Sequence, residues 1–398
     1  MAGSGASSAD VEAARLRAAG LTADEIDLIA RRRRAAGRST ARPGADGLAT
    51  AVVLAAIAGT AVHAVRLGGD AAGLDDGSLL RIASLLLVPG PVALLALRRG
   101  ATRRRWLGLL AALVAVALVA VAVPHRPGSD AELLAALHLP ILAWTVVLAA
   151  HADGRVRDLP ARIAAVRFSG EVAVLYVLFA LGGGALVALT AGLLGAVGLD
   201  AEPLAEWVLP AGAAGAVVIA AWLVETRPHV GAGVAPLLAQ VFTPLLAVTV
   251  FGVAAVYAVG SGGRFDRDVV ALLDVLLVLV VGLAVYGQAA RDTDRAVRWD
   301  DRLRLGTVAV AVVLDLGVLA ATAGRLFDLG VTPNRIAAVG LNAVLLVVLT
   351  GTVVRLTAAV RGRQPMASVE HWQAASLPLI VVWAAVVAVL LPLLPVAR

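Results

Sequence analysis

The hydrophobic residues of this 398-residue chain fall in eleven blocks of about 20 residues, and most charged residues lie between them. As an α-helix, a block of this length covers roughly 30 Å, the thickness of the hydrocarbon core of a bilayer. A backbone in hydrocarbon must satisfy its own hydrogen bonds, so the pattern predicts an all-α, polytopic transmembrane helix bundle of about eleven spans. The blocks lie at residues 47–65, 79–97, 106–123, 132–150, 171–196, 207–225, 235–258, 269–289, 305–324, 336–355 and 376–396.

The composition excludes several classes of protein. Hydrophobic residues make up 60% of the chain and charged residues 16%, against about 45–50% and 25% in soluble domains. This excludes a soluble enzyme and a disordered chain. With no cysteine, disulfides, cysteine-ligated clusters and thiol catalysis are excluded as well. No Walker A, G-x-S-x-G or H-E-x-x-H motif occurs, which argues against an ATPase, a hydrolase or a zinc protease. The sequence therefore indicates neither a cofactor nor a metal.

The basic residues predict the topology. All 34 of them are arginine, and the Ala, Gly, Val, Leu and Arg bias favours a bacterial genome of high G+C content. With a cytoplasmic N-terminus and an outer C-terminus, 26 arginines lie in cytoplasmic segments, as the positive-inside rule requires. The location expected is the bacterial inner (plasma) membrane, with anionic lipids at the cytoplasmic face. Because the arginines are spread over many loops, nucleic-acid binding is not expected.

Residues 1–46 are predicted to form a cytoplasmic helical arm with an Arg-rich linker, and residues 47–398 the transmembrane bundle. Thr22 and Glu25 have the spacing of a capping box, and the helix predicted behind them ends in Arg31–Arg34. One interpretation is an arm that binds a cytoplasmic protein partner or anionic lipid. The other is a basic tail that only fixes the topology.

Three polar residues within late spans are the first candidate site. Asp315 lies at the centre of the ninth span, and Asp274 and Asn342 lie in the eighth and tenth. Ionisable groups inside a membrane are costly and are functional candidates by default. If these spans are neighbours, the three groups form one cluster, capped from the outer surface by Arg325 or Arg335. The cluster is either a proton or cation site or a neutral carboxyl that hydrogen-bonds a neighbouring helix.

A candidate kink site lies in the seventh span. Pro244 removes a backbone donor and deprives the carbonyl of Gln240 of its usual helical partner, while Gln240 and Thr243 place polar side chains nearby. Interrupted helices of this kind line the sites of many transporters. Kinks that serve only helix packing are the alternative.

The turn between the ninth and tenth spans contains Gly330, Val331, Thr332 and Arg335, a Gly-Val-Thr-Pro-Asn-Arg sequence. This turn resembles one found in uncharacterised bacterial permease-like membrane proteins, known as domains of unknown function. The resemblance covers about the last 170 residues. It implies a multispanning protein without an established activity and supplies no catalytic residues.

These observations predict a permease-like integral membrane protein that moves an unidentified small solute or ion by secondary transport, since the chain has no ATP-binding motif. The alternative is a non-transporting membrane scaffold or sensor that binds a cytoplasmic partner through its N-terminal arm.

Overall fold

The computed structural model describes residues 47–122, 129–196, 200, 202–226, 228–259, 267–289, 291 and 296–394. These residues form helices and no strand. The predicted arm, residues 1–46, lies outside the described residues. The helices are α1 Leu48–Ala71, α2 Asp76–Leu85, α3 Pro89–Arg98, α4 Arg103–Ala122, α5 Asp130–His151, α6 Leu159–Ala196, α7 Glu202–Thr226, α8 Pro228–Val259, α9 Arg267–Ala289, α10 Trp299–Asp328, α11 Pro333–Val360 and α12 Ala367–Ala385, which continues as a π-turn at Val386–Leu390 and a 3₁₀ turn at Leu391–Leu393.

The predicted transmembrane helix bundle is confirmed. Within the described residues, ten helical segments are long and apolar enough to cross a bilayer, counting α2 and α3 as one, and α8 adds a shorter apolar stretch, Thr243–Ala258. Many large apolar side chains point outward, and on α4 only Ala120 is buried. A surface with this many exposed apolar side chains indicates a lipid environment, because its exposure to water would be energetically unfavourable. The protein is therefore a multi-pass membrane protein.

Several helices extend beyond the predicted blocks, and two segments need comment. The fifth span begins at Leu159 rather than 171, so that α6 has 38 residues, a length of roughly 57 Å. The second span is not one helix, because α2 ends at Leu85 and α3 begins at Pro89. Pro89 and Pro91 lack the backbone donors that would continue the first helix. At this break, Gly90 lets the chain pack closely against α7, since an added Cβ would lie 2.5 Å from a methyl group of Val218.

Ion pairs between helix termini show which termini lie at the same end of the bundle. At one end, here the Arg99 end, Arg99 contacts Glu225 at 3.0 Å and Arg105 contacts Asp153. At the opposite end, here the Arg66 end, Arg66 donates to Glu206 at 2.8 Å. These pairs join segments that the alternating topology places on the same side of the membrane.

Labelling of single cysteines tests which end faces the cytoplasm. The chain has no cysteine, so Ala72→Cys and Asp328→Cys at the Arg66 end, and Arg155→Cys and Arg363→Cys at the Arg99 end, each introduce one exposed thiol. We expect an impermeant maleimide to label the first two in intact cells and the last two only after permeabilisation, since arginine-rich loops stay inside. The opposite pattern would invert the predicted orientation.

Helices α9, α10 and α11 are mutual neighbours and enclose an apolar core. Its buried residues come from four helices, α8 to α11. This arrangement satisfies the condition on which the predicted polar cluster depended. The core residues are Val250, Leu277, Val280, Ala284, Val308, Ala311, Leu314, Leu345 and Leu349.

Candidate functional site

Asp274 and Asn342 meet between α9 and α11. The side-chain Nδ2 of Asn342 donates to Asp274 Oδ1 at 2.9 Å and to the backbone carbonyl of Ala338, one turn back on its own helix, at 2.8 Å. Asn342 is completely buried, and Asp274 is half-buried. The amide is thus fixed with its donor towards the carboxylate of Asp274.

Asp315 is completely buried on α10, between helices that also hold Asp274 and Asn342. The charge of Asp274 acts on its carboxyl group, so the two groups repel each other when both are ionised. Within the described part of the chain, neither Asp315 oxygen has a hydrogen-bond partner, and the Oδ1 of Asn342 has none either. The region therefore contains three buried acceptor atoms without donors. Such atoms suit a proton or a cation.

The two arginines proposed to cap the cluster lie near the Arg66 end of the bundle. Arg335 Nη1 donates to the carbonyls of Leu329 at 2.8 Å and Gly330 at 2.6 Å, so it crosslinks the turn between α10 and α11. Arg325 is half-buried in the last turn of α10. Capping of the cluster by either guanidinium stays a prediction.

The Gly-Val-Thr-Pro-Asn-Arg turn, on which the predicted family resemblance depends, has a structural explanation. Gly330 has a φ of 83°, a left-handed conformation that glycine adopts without strain. Thr332 is the N-cap of α11, where its hydroxyl accepts from the backbone N–H of Arg335 at 3.4 Å. Together with the Arg335 bonds to the turn carbonyls, these contacts give three of the four matched residues a role in forming the turn.

At the candidate kink site, α8 is helical through Pro244 and is not interrupted there. The Gln240 side chain lies outside the described residues. Thr243 is buried and borders a small cleft between α8, α9 and α10. Arg304 and Thr307 of α10 are its other polar lining residues, and its apolar lining residues are Leu246, Val280, Leu283, Ala284 and Val308.

A buried polar network beside this cleft, at the Arg99 end, was missed by sequence reasoning. Arg291 Nε and Nη2 lie 2.9 and 3.2 Å from the two carboxylate oxygens of Asp301, and both side chains are almost completely buried. Arg304 Nη1 donates to Gln288 Oε1 at 3.3 Å, and Gln288 Nε2 donates to the carbonyl of Met366 at 3.4 Å. The positive-inside count had treated Arg291 and Arg304 only as charged residues of a cytoplasmic loop. Asp301 in the first turn of α10 was the signal that could have indicated a pair.

A second missed pair lies at the Arg66 end, where Arg81 of α2 meets Glu132 of α5. The distance from Arg81 Nη1 to Glu132 Oε1 is 3.6 Å, and both residues are buried. Ser78, in the first turn of α2, contacts the loop before this helix, since its hydroxyl donates to the carboxylate of Asp75 at 2.9 Å. Hydrogen bonds from Ser78 lower the pKa of Asp75, which lies outside the spans. The pair joins residues 51 positions apart, which no local motif indicates.

Comparison with known proteins adds no relative. No protein-family model, no curated protein and no solved structure matches the chain. A functional interpretation therefore depends on the residues of this chain alone.

Proposed function

We propose that this protein is a permease-like secondary transporter of the bacterial inner membrane, in which Asp274, Asp315 and Asn342 form the site that binds a proton or cation during transport. One observation supports this above all others: the carboxyl group of Asp315 is completely buried in a membrane-spanning helix, and both of its oxygens are without partners. An Asp at mid-helix costs roughly 2.5–3.5 kcal/mol on insertion scales. A group this costly is retained more readily for chemistry than for packing.

The second carboxyl group makes the site suited to a cation. Asp274 already accepts a hydrogen bond from Asn342, and Asp274 and Asp315 would repel each other if both were ionised. A proton or small cation between the two groups would remove this repulsion. Binding and release of one positive charge would then change the packing between α9, α10 and α11.

Transport also requires that the site open. Asp315 is closed off from the surface in the described arrangement, which we take as the occluded state of the cycle. In the predicted orientation the Arg99 end faces the cytoplasm and anionic lipids. Residues 1–46 would lie on that side, available to a cytoplasmic protein partner.

Proton flux into liposomes containing Asp315→Asn tests the proposal. The substitution keeps the size of the side chain but removes titration. Liposomes loaded with a pH-sensitive dye would be given a carboxylate, an amino acid, a sugar or a monovalent cation singly. We expect at least one solute to drive proton movement with the wild-type protein, and Asp315→Asn to reduce it to the level of empty liposomes.

The matched control is Asp328→Asn, an exposed position at the end of the same helix. It should transport like the wild-type protein, and both variants should express and insert normally. Equal flux in wild type and Asp315→Asn would contradict the proposal. That outcome would favour the alternative of a scaffold or sensor, in which the cluster is a neutral packing element.

A further inference from the structure

We propose that the exposed face of α4 binds one anionic phospholipid, with the phosphate group at Arg103 and Arg104 and an acyl chain along Leu107, Leu110 and Val114. The inference goes beyond the proposed transport, because it concerns the lipid-facing surface of the bundle and not its buried carboxyl groups. It also differs from a general attraction between arginine-rich loops and anionic lipids, since it assigns one site to one lipid molecule.

Helix α4 lies at the surface of the bundle. Of its 20 residues only Ala120 is buried, and Leu109, Leu113 and Val116 pack from one side against the apolar core of the neighbouring helices. The opposite side faces outward along the whole helix. Because 20 helical residues cover roughly 30 Å, the first turn of α4 lies at the depth of the lipid headgroups.

The first turn of α4 carries a cluster of positive charge. Arg103, Arg104 and Arg105 are consecutive and exposed. Arg105 contacts Asp153, whereas neither Arg103 nor Arg104 forms an ion pair within the described part of the chain. No acidic residue occupies this turn, although the start of a helix normally favours Asp or Glu. A phosphate group would offset this charge, and its oxygens match the planar fork of a guanidinium group.

A strip of exposed apolar side chains leads away from Arg103 along the same face of α4. Leu107, Leu110 and Val114 follow Arg103 at intervals of four, three and four residues, a spacing that keeps all four on one side of a helix. The three apolar residues are 57%, 56% and 48% exposed. Val114 lies roughly 16 Å along the axis from Arg103, about half the thickness of the hydrocarbon core. One acyl chain therefore fits against the strip while its phosphate group contacts the arginines.

An exposed arginine at the same end of the bundle lacks this combination. Arg302 lies in the first turn of α10 and is exposed, but none of residues 303–312 is exposed. A phosphate group at Arg302 would have no exposed apolar strip below it on that helix. Comparison of Arg103 with Arg302 therefore separates a lipid site from an ordinary surface charge.

Lipid binding to the purified full-length protein in neutral detergent micelles tests the inference. Phosphatidylglycerol would be added in increasing amounts, and native mass spectrometry would measure the fraction of protein that carries one lipid. We expect saturable binding by the wild-type protein and much weaker binding of phosphatidylcholine, which has the same acyl chains but no net charge. Arg103→Gln should weaken the binding about fivefold, and Arg103→Gln with Arg104→Gln about 25-fold, as expected for arginines next to anionic lipid.

Arg302→Gln is the matched control, since it removes the same charge from an exposed position in the first turn of another helix. Its affinity for phosphatidylglycerol should stay within about twofold of wild type, because a distant surface charge is screened. Leu110→Ala leaves the charges intact and should weaken binding several-fold, since the acyl chain then covers less apolar area. Glycerol phosphate, the headgroup without acyl chains, should not displace the lipid at the same concentrations.

Equal losses in Arg103→Gln and Arg302→Gln would overturn the inference, because they would show a diffuse attraction to this end of the bundle. Binding of phosphatidylcholine as tight as that of phosphatidylglycerol would overturn it as well, and so would displacement by glycerol phosphate. None of these measurements involves proton flux. The lipid site and the proposed function therefore stand or fail separately.

Discussion

Asp301→Ala is expected to lower the free energy of unfolding by about 3–5 kcal/mol, the usual cost of removing one partner from a buried ion pair. The carboxylate accepts from Arg291 at 2.9 and 3.2 Å and from the backbone N–H of Arg298 at 3.0 Å. Asp301 is completely buried and Arg291 is 6% exposed. Solvent therefore cannot replace the lost carboxylate around the guanidinium group.

Equilibrium unfolding of the purified protein in mixed micelles would measure this change. Asp328→Ala is the matched control, because it removes an exposed carboxylate from the other end of α10 and should change the free energy by less than about 0.5 kcal/mol. The double variant Arg291→Met with Asp301→Leu should recover much of the loss, since it removes both charges of the pair together. A loss below about 1 kcal/mol in Asp301→Ala would mean that the pair is hydrated.

Gly351→Ala is expected to destabilise the protein by about 1–3 kcal/mol, the cost of overpacking a well-filled core. The sign is informative, because glycine to alanine within a helix normally stabilises by about 0.5–1 kcal/mol. Here the new Cβ would lie 2.1 Å from Cε2 of Trp372. The indole cannot easily move away, since its Nε1 donates to the carbonyl of Val348 at 3.1 Å and the Arg355 guanidinium lies 4.1 Å from the ring centroid.

The control for this experiment is Gly182→Ala, at an exposed position of α6 where nothing lies within 4 Å of the added Cβ. It should be neutral or slightly stabilising in the same unfolding measurement. If Gly351→Ala behaved like Gly182→Ala, the contact between α11 and Trp372 of α12 would be looser than the structure indicates.

The carboxyl cluster illustrates how far sequence reasoning reaches in a membrane protein. The depth of Asp274, Asp315 and Asn342 followed from their positions within apolar blocks, because a helix advances by a fixed rise per residue. Short connections then predicted that α9, α10 and α11 are neighbours, and their contacts confirm it. The hydrogen bond between Asn342 and Asp274 follows from that neighbourhood. The function of the cluster stays a prediction.

The polar residues that line the cleft between α8 and α10 were harder to predict. Thr243 was selected from sequence only because it lies beside Pro244, whereas Arg304 was counted only as a loop charge and Thr307 was not selected. Their meeting in one cleft depends on how α8 packs against α10. No pattern within either helix encodes that packing.

The sequence by itself determined the helical segments and the membrane environment, because transfer of an apolar block into hydrocarbon depends on local composition and length. Only the tertiary structure decided the buried pairs Arg291–Asp301 and Arg81–Glu132. An arginine near the end of an apolar block can face solvent, lipid headgroups or a carboxylate on another helix. The local sequence around it is compatible with all three environments. The neighbour that the fold places beside it selects among them, since a buried charge is stable only where a partner of opposite charge is within reach.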